Sequence, residues 1–322
     1  MKLLAPLLAL VILAATCSSA DTDAGLSATT TTTVTPTTLA PTTAAPSTTA
    51  PPPPAVQVDL LIYNVAGLPD ALSGSEPATN TPLIGPLLND YDLVLVQESW
   101  LTPQNAAVGQ ETYHEILLDL ADFDHQSESL AAPQGINADR PSALLSDGLN
   151  RFGHDPFTPV ERQRWLTCGI ASADCFSLKG FSVATTTFAD GIEVDIYNLH
   201  LDAGREDFGI REENVAELTV HILENSDGRA VIVGGDFNLH LDRDPDADQF
   251  AGLLADAGLT DACTELACDE PNRIDKVIYR SGDGVTIAAL EWKNEAPTFT
   301  RDDGEPLSDH DPVLVRFELA AT

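Results

Sequence analysis

The chain has 322 residues, 43% of them hydrophobic, with 50 acidic against 16 basic side chains and a formal net charge of −34. A surface this acidic repels polyanions, because binding to long nucleic acid depends on phosphates meeting Lys and Arg. Long DNA is therefore disfavoured as a partner, while the length leaves room for one large core.

Met1–Ala20 carries one basic residue, Lys2, then an apolar stretch from Leu3 to Ala15 and small residues after it. The apolar run falls short of the ~20 residues a membrane span needs, so the segment reads as a secretory signal. Cys17 has two readings. Behind Leu13-Ala14-Ala15-Thr16 it is the lipid-bearing first residue of a bacterial lipoprotein; with cleavage after Ser18-Ser19-Ala20 it is lost with the signal. The protein is expected to be secreted or on the cell surface, tethered to a membrane in the first case. Residues 21–56 are dominated by Thr, Ala and Pro, with no charge from Ser27 to Pro54. Such a stretch buries too little apolar surface to offset the entropy of ordering, and it reads as a disordered linker. Residues 57–322 form the folded domain, expected to act as a monomer.

Within that domain Val58–Asn64 and Leu93–Val96 read as strands, with helical patterns over Pro82–Asn89 and Gln110–Leu120. Phe181–Phe188 and Glu193–His200 are strands joined by a turn containing Asp190-Gly191, a hairpin signal. Arg211–Glu224 places Val215, Leu218 and Ile222 at helical spacing, and Ala230–Gly234 follows as a strand. Phe250–Ala257 is a helix closed by Gly258, and Ile274–Tyr279 and Pro312–Leu319 are strands. Interleaved strands and helices with hairpin pairs predict an α/β fold of two mixed sheets flanked by helices. Cys168, Cys175, Cys263 and Cys268 suit an exported protein with disulfides. Of three connectivities the local pairs 168–175 and 263–268 are preferred; the rival zinc site lacks a Cys-x-x-Cys spacing.

Polar groups cluster at the strand ends. Asn64 closes the first strand and Glu98 follows the second, Asn198 and His200 close the fourth, Asp236 and Asn238 follow the fifth, Asp275 opens the sixth, and Asp309 and His310 precede the last. Singly, each is more often a cap or turn residue. Together, carboxylates, amides and imidazoles at one kind of position are what a metal-assisted attack on a phosphate ester requires. Outside this set, Asp202 reads as an exposed loop carboxylate rather than a ligand, and Ser308 as a turn former. Trp165, beside Arg162 and Arg164, reads as a packing residue rather than a head-group reader. Lys179 has two readings, a phosphate contact or a salt-bridged lysine at a strand start. His114, His125, His154, His221 and His240 are given no role.

Gln97-Glu98, Gly235-Asp236-Phe237-Asn238 and Ser308-Asp309-His310 make the chain resemble the endonuclease/exonuclease/phosphatase superfamily, the fold of deoxyribonuclease I and the neutral sphingomyelinases. Lys179-Gly180-Phe181 and Asn198-Leu199-His200-Leu201 are similar to segments of the bacterial sphingomyelinases. The resemblance implies a four-layered α/β sandwich. It makes Glu98, Asn64 and Asp309 the metal side, with Mg²⁺ as the ion and Mn²⁺ or Ca²⁺ as alternatives. His310 becomes the general base, oriented by Asp275; Asp236 and Asn238 position water and phosphate; His200 donates to a phosphate oxygen or assists the leaving group. Lys179 and Asn198 are the substrate-binding candidates. The implied substrate is a phosphodiester in a lipid head group, with an extracellular nuclease or a catalytically silent binding protein as alternatives. Secreted bacterial sphingomyelinases carry a membrane-inserting hairpin with adjacent aromatics, whereas residues 278–307 here hold only Trp292 and Phe299 as bulky aromatics beside Tyr279.

Overall fold

Leu60, Leu61, Ile62 and Tyr63 are apolar without alternation because the strand they form is covered on both faces. The computed structural model describes residues 54–101, 111–128, 140–189 and 191–322. The expected signal, Cys17, nearly all of the linker and Asp190 lie outside them. Among the described residues no helix is long and apolar enough to cross a membrane.

In chain order the first half comprises β1 (Val56–Asn64), α1 (Pro77–Leu88), β2 (Leu93–Gln97), α2 (Tyr113–Leu120), β3 (His125–Gln126), β4 (Asn150–Gly153) and β5 (Glu161–Arg164). Then come β6 (Gly180–Ala189), β7 (Ile192–His200), α3 (Phe208–Asn225), β8 (Val231–Asp236) and α4 (Asp244–Ala257). The chain closes with β9 (Thr260–Asp261), α5 (Ala262–Glu265), β10 (Asp275–Arg280), β11 (Val285–Asn294) and β12 (Val313–Ala321). They build two six-stranded mixed sheets, ordered β11-β12-β1-β2-β4-β3 and β5-β6-β7-β8-β10-β9. The first strand begins at Val56.

Leu60, Ile62, Leu95 and Val315 from the first sheet meet Ile196, Ile232 and Val277 from the second. The outer face of the first sheet packs Leu61, Tyr63 and Val94 under Ile84, Leu88 and Leu117 of α1 and α2. The second packs Leu199, Val231 and Val233 under Leu218, Ile222 and Leu253 of α3 and α4. Four layers result, as expected.

Several elements extend past their expected limits. Helix α1 starts at Pro77 rather than Pro82, since proline is favoured in the first turn and Asp70 Oδ1 accepts from Ala78 N at 3.0 Å. Helix α4 starts at Asp244 rather than Phe250. Its first turn holds Asp244, Pro245 and Asp246, and buried Asp246 accepts from Arg211 of α3 at 2.9 and 3.0 Å. The sequence reading omits β11, although Val285 and Ile287 alternate inward, and it omits the short polar strands β3, β4, β5 and β9.

Register brings the functional strand ends to one edge. Asn64 pairs with Gln97 across β1–β2 and Ile62 with Val313 across β1–β12, while Asp236 pairs with both His200 and Asp275. Gly234 lets the two sheets approach here, because a Cβ on it would lie 2.7 Å from Ile62 Cγ2. The disulfides are Cys168–Cys175 and Cys263–Cys268, the preferred local pairs, so the four sulfurs are not zinc ligands.

Candidate active site

Asp236, the last residue of β8, is the hub of the edge. It is fully buried, and its Oδ2 lies 3.2 Å from Asn64 Nδ2, 3.1 Å from His200 Nε2 and 3.8 Å from His310 Nε2. Its Oδ1 accepts from Asn238 N at 3.0 Å. Burial raises its pKa, but His200, His310 and Lys179 outweigh that and hold the carboxyl below the usual carboxylate range.

His310 sits in the turn before β12, with Nδ1 3.0 Å from both oxygens of buried Asp275 and Nε2 turned toward Asp236. Burial disfavours its charge, yet Asp275 and Asp236 push its pKa up to about 10. The turn is clamped from two sides. Ser308 Oγ donates to Asn64 O at 2.7 Å and accepts from His310 N at 3.3 Å, so Ser308 ties the β1 end to the His310 turn as well as shaping it. Arg273, which the sequence reading missed, donates to Asp311 Oδ2 at 3.0 Å and Asp311 O at 2.7 Å, and lies 3.7 Å from Asp275.

Glu98 follows β2 in a left-handed backbone conformation, φ 58°. For a residue with a side chain that costs of order 1–3 kcal/mol and persists where surrounding contacts impose it. Those contacts are visible. Glu98 O accepts from Gly67 N at 3.1 Å, and a Cβ on Gly67 would come within 2.4 Å of that oxygen. Next to it, Ser99 Oγ meets Nδ1 of buried His114 at 3.1 Å, an imidazole that burial lowers to about 4 and so keeps neutral. The Glu98 carboxylate accepts from Asn64 Nδ2 at 3.1 Å.

Asn64 therefore bridges Glu98 and Asp236, while its Oδ1 accepts from Ala66 N at 3.1 Å. The Nδ2 end bridges the two carboxylates, and Oδ1, the end expected on the metal side, has one lone pair engaged by Ala66 N. Asp309 is exposed at the rim, bonded to Ser308 Oγ at 3.4 Å, and stands apart from the buried set. His200 is buried behind Asp236, with Nδ1 unpartnered and its carbonyl accepting from Trp165 Nε1 at 2.8 Å. That placement supports holding Asp236 rather than touching substrate. Asn238 lies at the edge, with Nδ2 donating to Leu201 O at 3.2 Å.

Lys179 is buried in an ion pair with Asp174, Nζ to Oδ1 2.5 Å. Burial opposes its charge, but Asp174 and Glu98 raise its pKa and so keep it a cation. Asp202 is buried, contrary to the expected exposed carboxylate. It accepts from Gly169 N at 2.5 Å and Gly204 N at 3.0 Å, because the 168–175 disulfide loop folds over it.

Asn198 is a correction. Its Oδ1 accepts from Gln97 Nε2 at 2.7 Å, and its Nδ2 donates to Val96 O and Asn150 O at 3.0 Å. It staples the two sheets together and is spent before any substrate arrives. Asn198→Ala leaves these buried partners unpaired and should lower unfolding free energy by about 2–4 kcal/mol in urea titration, with kcat retained. A collapse of kcat at unchanged stability would return Asn198 to the substrate side.

Asp236, Asp275 and His310 offer ligand atoms within 4.8 Å of one another. Because both oxygens of Asp275 grip the imidazole, this trio reads as a base with its orienting acid. A hard ion such as Mg²⁺ prefers oxygens, which Glu98 supplies. The donor chemistry fits, since Asn64 Nδ2 holds carboxylate oxygens of both Glu98 and Asp236 side by side.

No family model matches the chain. The sphingomyelinase of Mycobacterium tuberculosis is 36% identical over 283 residues, covering 81% of this chain and 53% of that protein; the Mycobacterium bovis sphingomyelinase matches equally. The chain thus spans about half the length of the curated relatives it matches. Beta toxin from Staphylococcus aureus with bound magnesium ions superposes with a TM-score of 0.57 at 16% identity, covering 81% of this chain and 99% of that one. D. rerio TDP2 complexed with single strand DNA product gives 0.60 at 20% identity, covering 81% and 98%. The fold is therefore the deoxyribonuclease I-like α/β sandwich. Within it, this chain is a sequence relative of the mycobacterial sphingomyelinases.

Proposed function

We propose that the chain is a metal-dependent phosphodiesterase acting on a lipid head group, with Mg²⁺ as the ion and Mn²⁺ or Ca²⁺ as alternatives. The observation that carries this reading is His310 gripped by Asp275 with its free nitrogen turned to Asp236, 3.8 Å away, beside the Glu98 carboxylate. His310 Nε2 takes a proton from water as the oxygen attacks phosphorus, and the bond to the leaving oxygen breaks in line, that oxygen taking a proton from solvent water to leave as the alcohol. Asp275 stabilises the imidazolium so formed, and Asp236 holds the water or the phosphate from the opposite side. A divalent ion beside Glu98, with Asp309 at the rim, would neutralise phosphate charge and offset the carboxylate field that keeps His310 protonated. The buried His200 and Asn64 fix Asp236.

Support for a lipid head group comes from the 36% identity to proteins named sphingomyelinase and from a net charge of −34 that disfavours polyanions. A nuclease is the second reading, favoured by the likeness to TDP2 with its DNA product. A substrate panel with Mg²⁺ separates them: sphingomyelin, phosphatidylcholine, plasmid DNA and a chromogenic phosphodiester. Lipid turnover with intact plasmid is the expected outcome, and efficient DNA cleavage without lipid turnover would overturn it. We further propose export to the cell surface or medium, supported by the signal pattern and by two disulfides.

A further inference from the structure

Helix α3 packs one apolar stripe on the second sheet and turns another toward solvent. Val215, Leu218 and Ile222 are buried, whereas Val220 is 52% and Leu223 45% exposed. Between α3 and α4 lies an open hollow of about 790 Å³, lined by Val215, Val220 and Leu223 of α3 and by Gly252 and Leu253 of α4. On the other flank of α3 lies a second hollow, of about 640 Å³, lined by Leu166, Thr167, Ala216 and Val220. Ala216 and Val220 line both, so the two hollows join over the crest of α3 into one channel. Small residues keep it open: Ala216 at the crest, and Gly252, where a Cβ would meet nothing within 4 Å.

The channel carries one sign of charge. Glu212, Asp248 and Asp256 line the first hollow and Glu213, Glu217 and Glu224 the second, with no Lys or Arg among the lining residues of either. His221 supplies no cation at neutral pH, because burial lowers its pKa; its Nδ1 meets Tyr197 Oη at 3.2 Å. Leu166 N donates to both oxygens of Glu217, at 3.1 and 3.2 Å, which fixes the wall of the second hollow. Thr219 donates its hydroxyl to Val215 O at 2.8 Å, so the α3 wall is left apolar between acidic rims. A valine on the water-facing side of a helix lowers helix propensity, and an apolar patch rimmed by charges marks an interaction surface.

We propose that the channel along α3 docks a cationic amphipathic helix of a partner protein. A hollow beside two packed helices accepts a third, whose apolar ridge enters between Val220, Leu223 and Leu253. From Glu212 to Glu224 the α3 wall runs roughly 18 Å, or three to four turns of such a helix. Lys or Arg on both flanks of the ridge meets the carboxylates of the two rims. A second copy of this chain is excluded as occupant by charge, because its own acidic rims would face these and both bodies carry −34. A bilayer is flat where this surface is concave. The channel lies in the helical layer outside the second sheet and uses none of the groups at the strand edge, so it goes beyond the phosphodiesterase reading and does not depend on it.

The test follows a fluorescent peptide of about 14 residues, with Leu on one helical face and Lys on its flanks, by anisotropy against wild type. A scrambled peptide of the same composition controls for charge alone. Wild type should bind the amphipathic order about tenfold more tightly than the scramble. Val220→Lys should lose about tenfold, and so should Gly252→Phe, which fills the hollow without adding charge. Leu290→Lys, an equal charge change at an exposed leucine of β11, should bind as wild type. On wild type, hydrogen exchange should slow over 212–224 and 245–256 when the peptide is added. Equal binding of the scramble, unchanged binding by Val220→Lys and Gly252→Phe, or slowing confined to other segments each overturns the docking site. A wild-type dimer that Val220→Lys dissolves would give the channel to a second copy, and pelleting with phosphatidylcholine vesicles that Gly252→Phe abolishes would give it to a membrane; either result overturns the proposal.

Discussion

Replacing His310 with Ala should cut turnover about a thousandfold, within the range for losing a general base, while the domain stays folded. His310 is only part-buried, and its ring contacts are electrostatic, to Asp275 at 3.0 Å and Asp236 at 3.8 Å. Its removal leaves two buried carboxylates without their cation, so a modest loss of stability accompanies the loss of activity. That loss has a direction in pH. The metal-free protein holds His310 at about 10 against an ordinary value of 6.5, since Asp275 and Asp236 outweigh burial. The raised value means the charged imidazole stabilises the fold fully below pH 6.5, and this contribution fades as pH rises through about 10. Thermal melts in EDTA should therefore show wild type losing Tm toward pH 10 and the variant losing less over the same window. Wild-type turnover in the variant would remove His310 from the mechanism.

Glu98→Gln should produce the second large effect. The glutamine keeps an oxygen for Asn64 Nδ2, which Glu98 now accepts at 3.1 Å, so local structure is preserved while one negative charge goes. A hard divalent ion depends on that charge. The Mg²⁺ concentration for half-maximal rate should rise about tenfold or more, and turnover at saturating Mg²⁺ should fall about a hundredfold. The same shift should appear when Mg²⁺ binding is followed by the rise in Tm. An unchanged Mg²⁺ midpoint would place the metal away from Glu98.

Much of this was legible because strand ends are local. Asn64, Glu98, His200, Asp236, Asp275 and His310 announce themselves as polar groups bounding apolar runs, and parallel pairing of β1 with β2 and of β7 with β8 brings those ends to one edge. Depth along a strand was not legible. Asn198 and His200 share a face of β7 two residues apart, roughly 7 Å, and that step moves Asn198 from the edge to the seam between sheets. Burial imposed by distant chain was equally hidden. Asp202 looks like a loop carboxylate until the 168–175 disulfide loop closes over it, and Arg273 gives no local sign that it will fasten Asp311. In the fold Gly234 admits Ile62 from the opposing sheet, and Gly235, at φ 145°, packs where a Cβ would lie 2.1 Å from Leu199 O.

The central claim is that water activated by His310 attacks phosphorus at the strand edge. Hydrolysis of sphingomyelin in ¹⁸O-labelled water with Mg²⁺, read by mass spectrometry, tests it most directly. One ¹⁸O should appear in the phosphate-bearing product and none in the released alcohol, with label and product both lost in EDTA. Label in the alcohol, or product that forms equally in EDTA, would contradict the account.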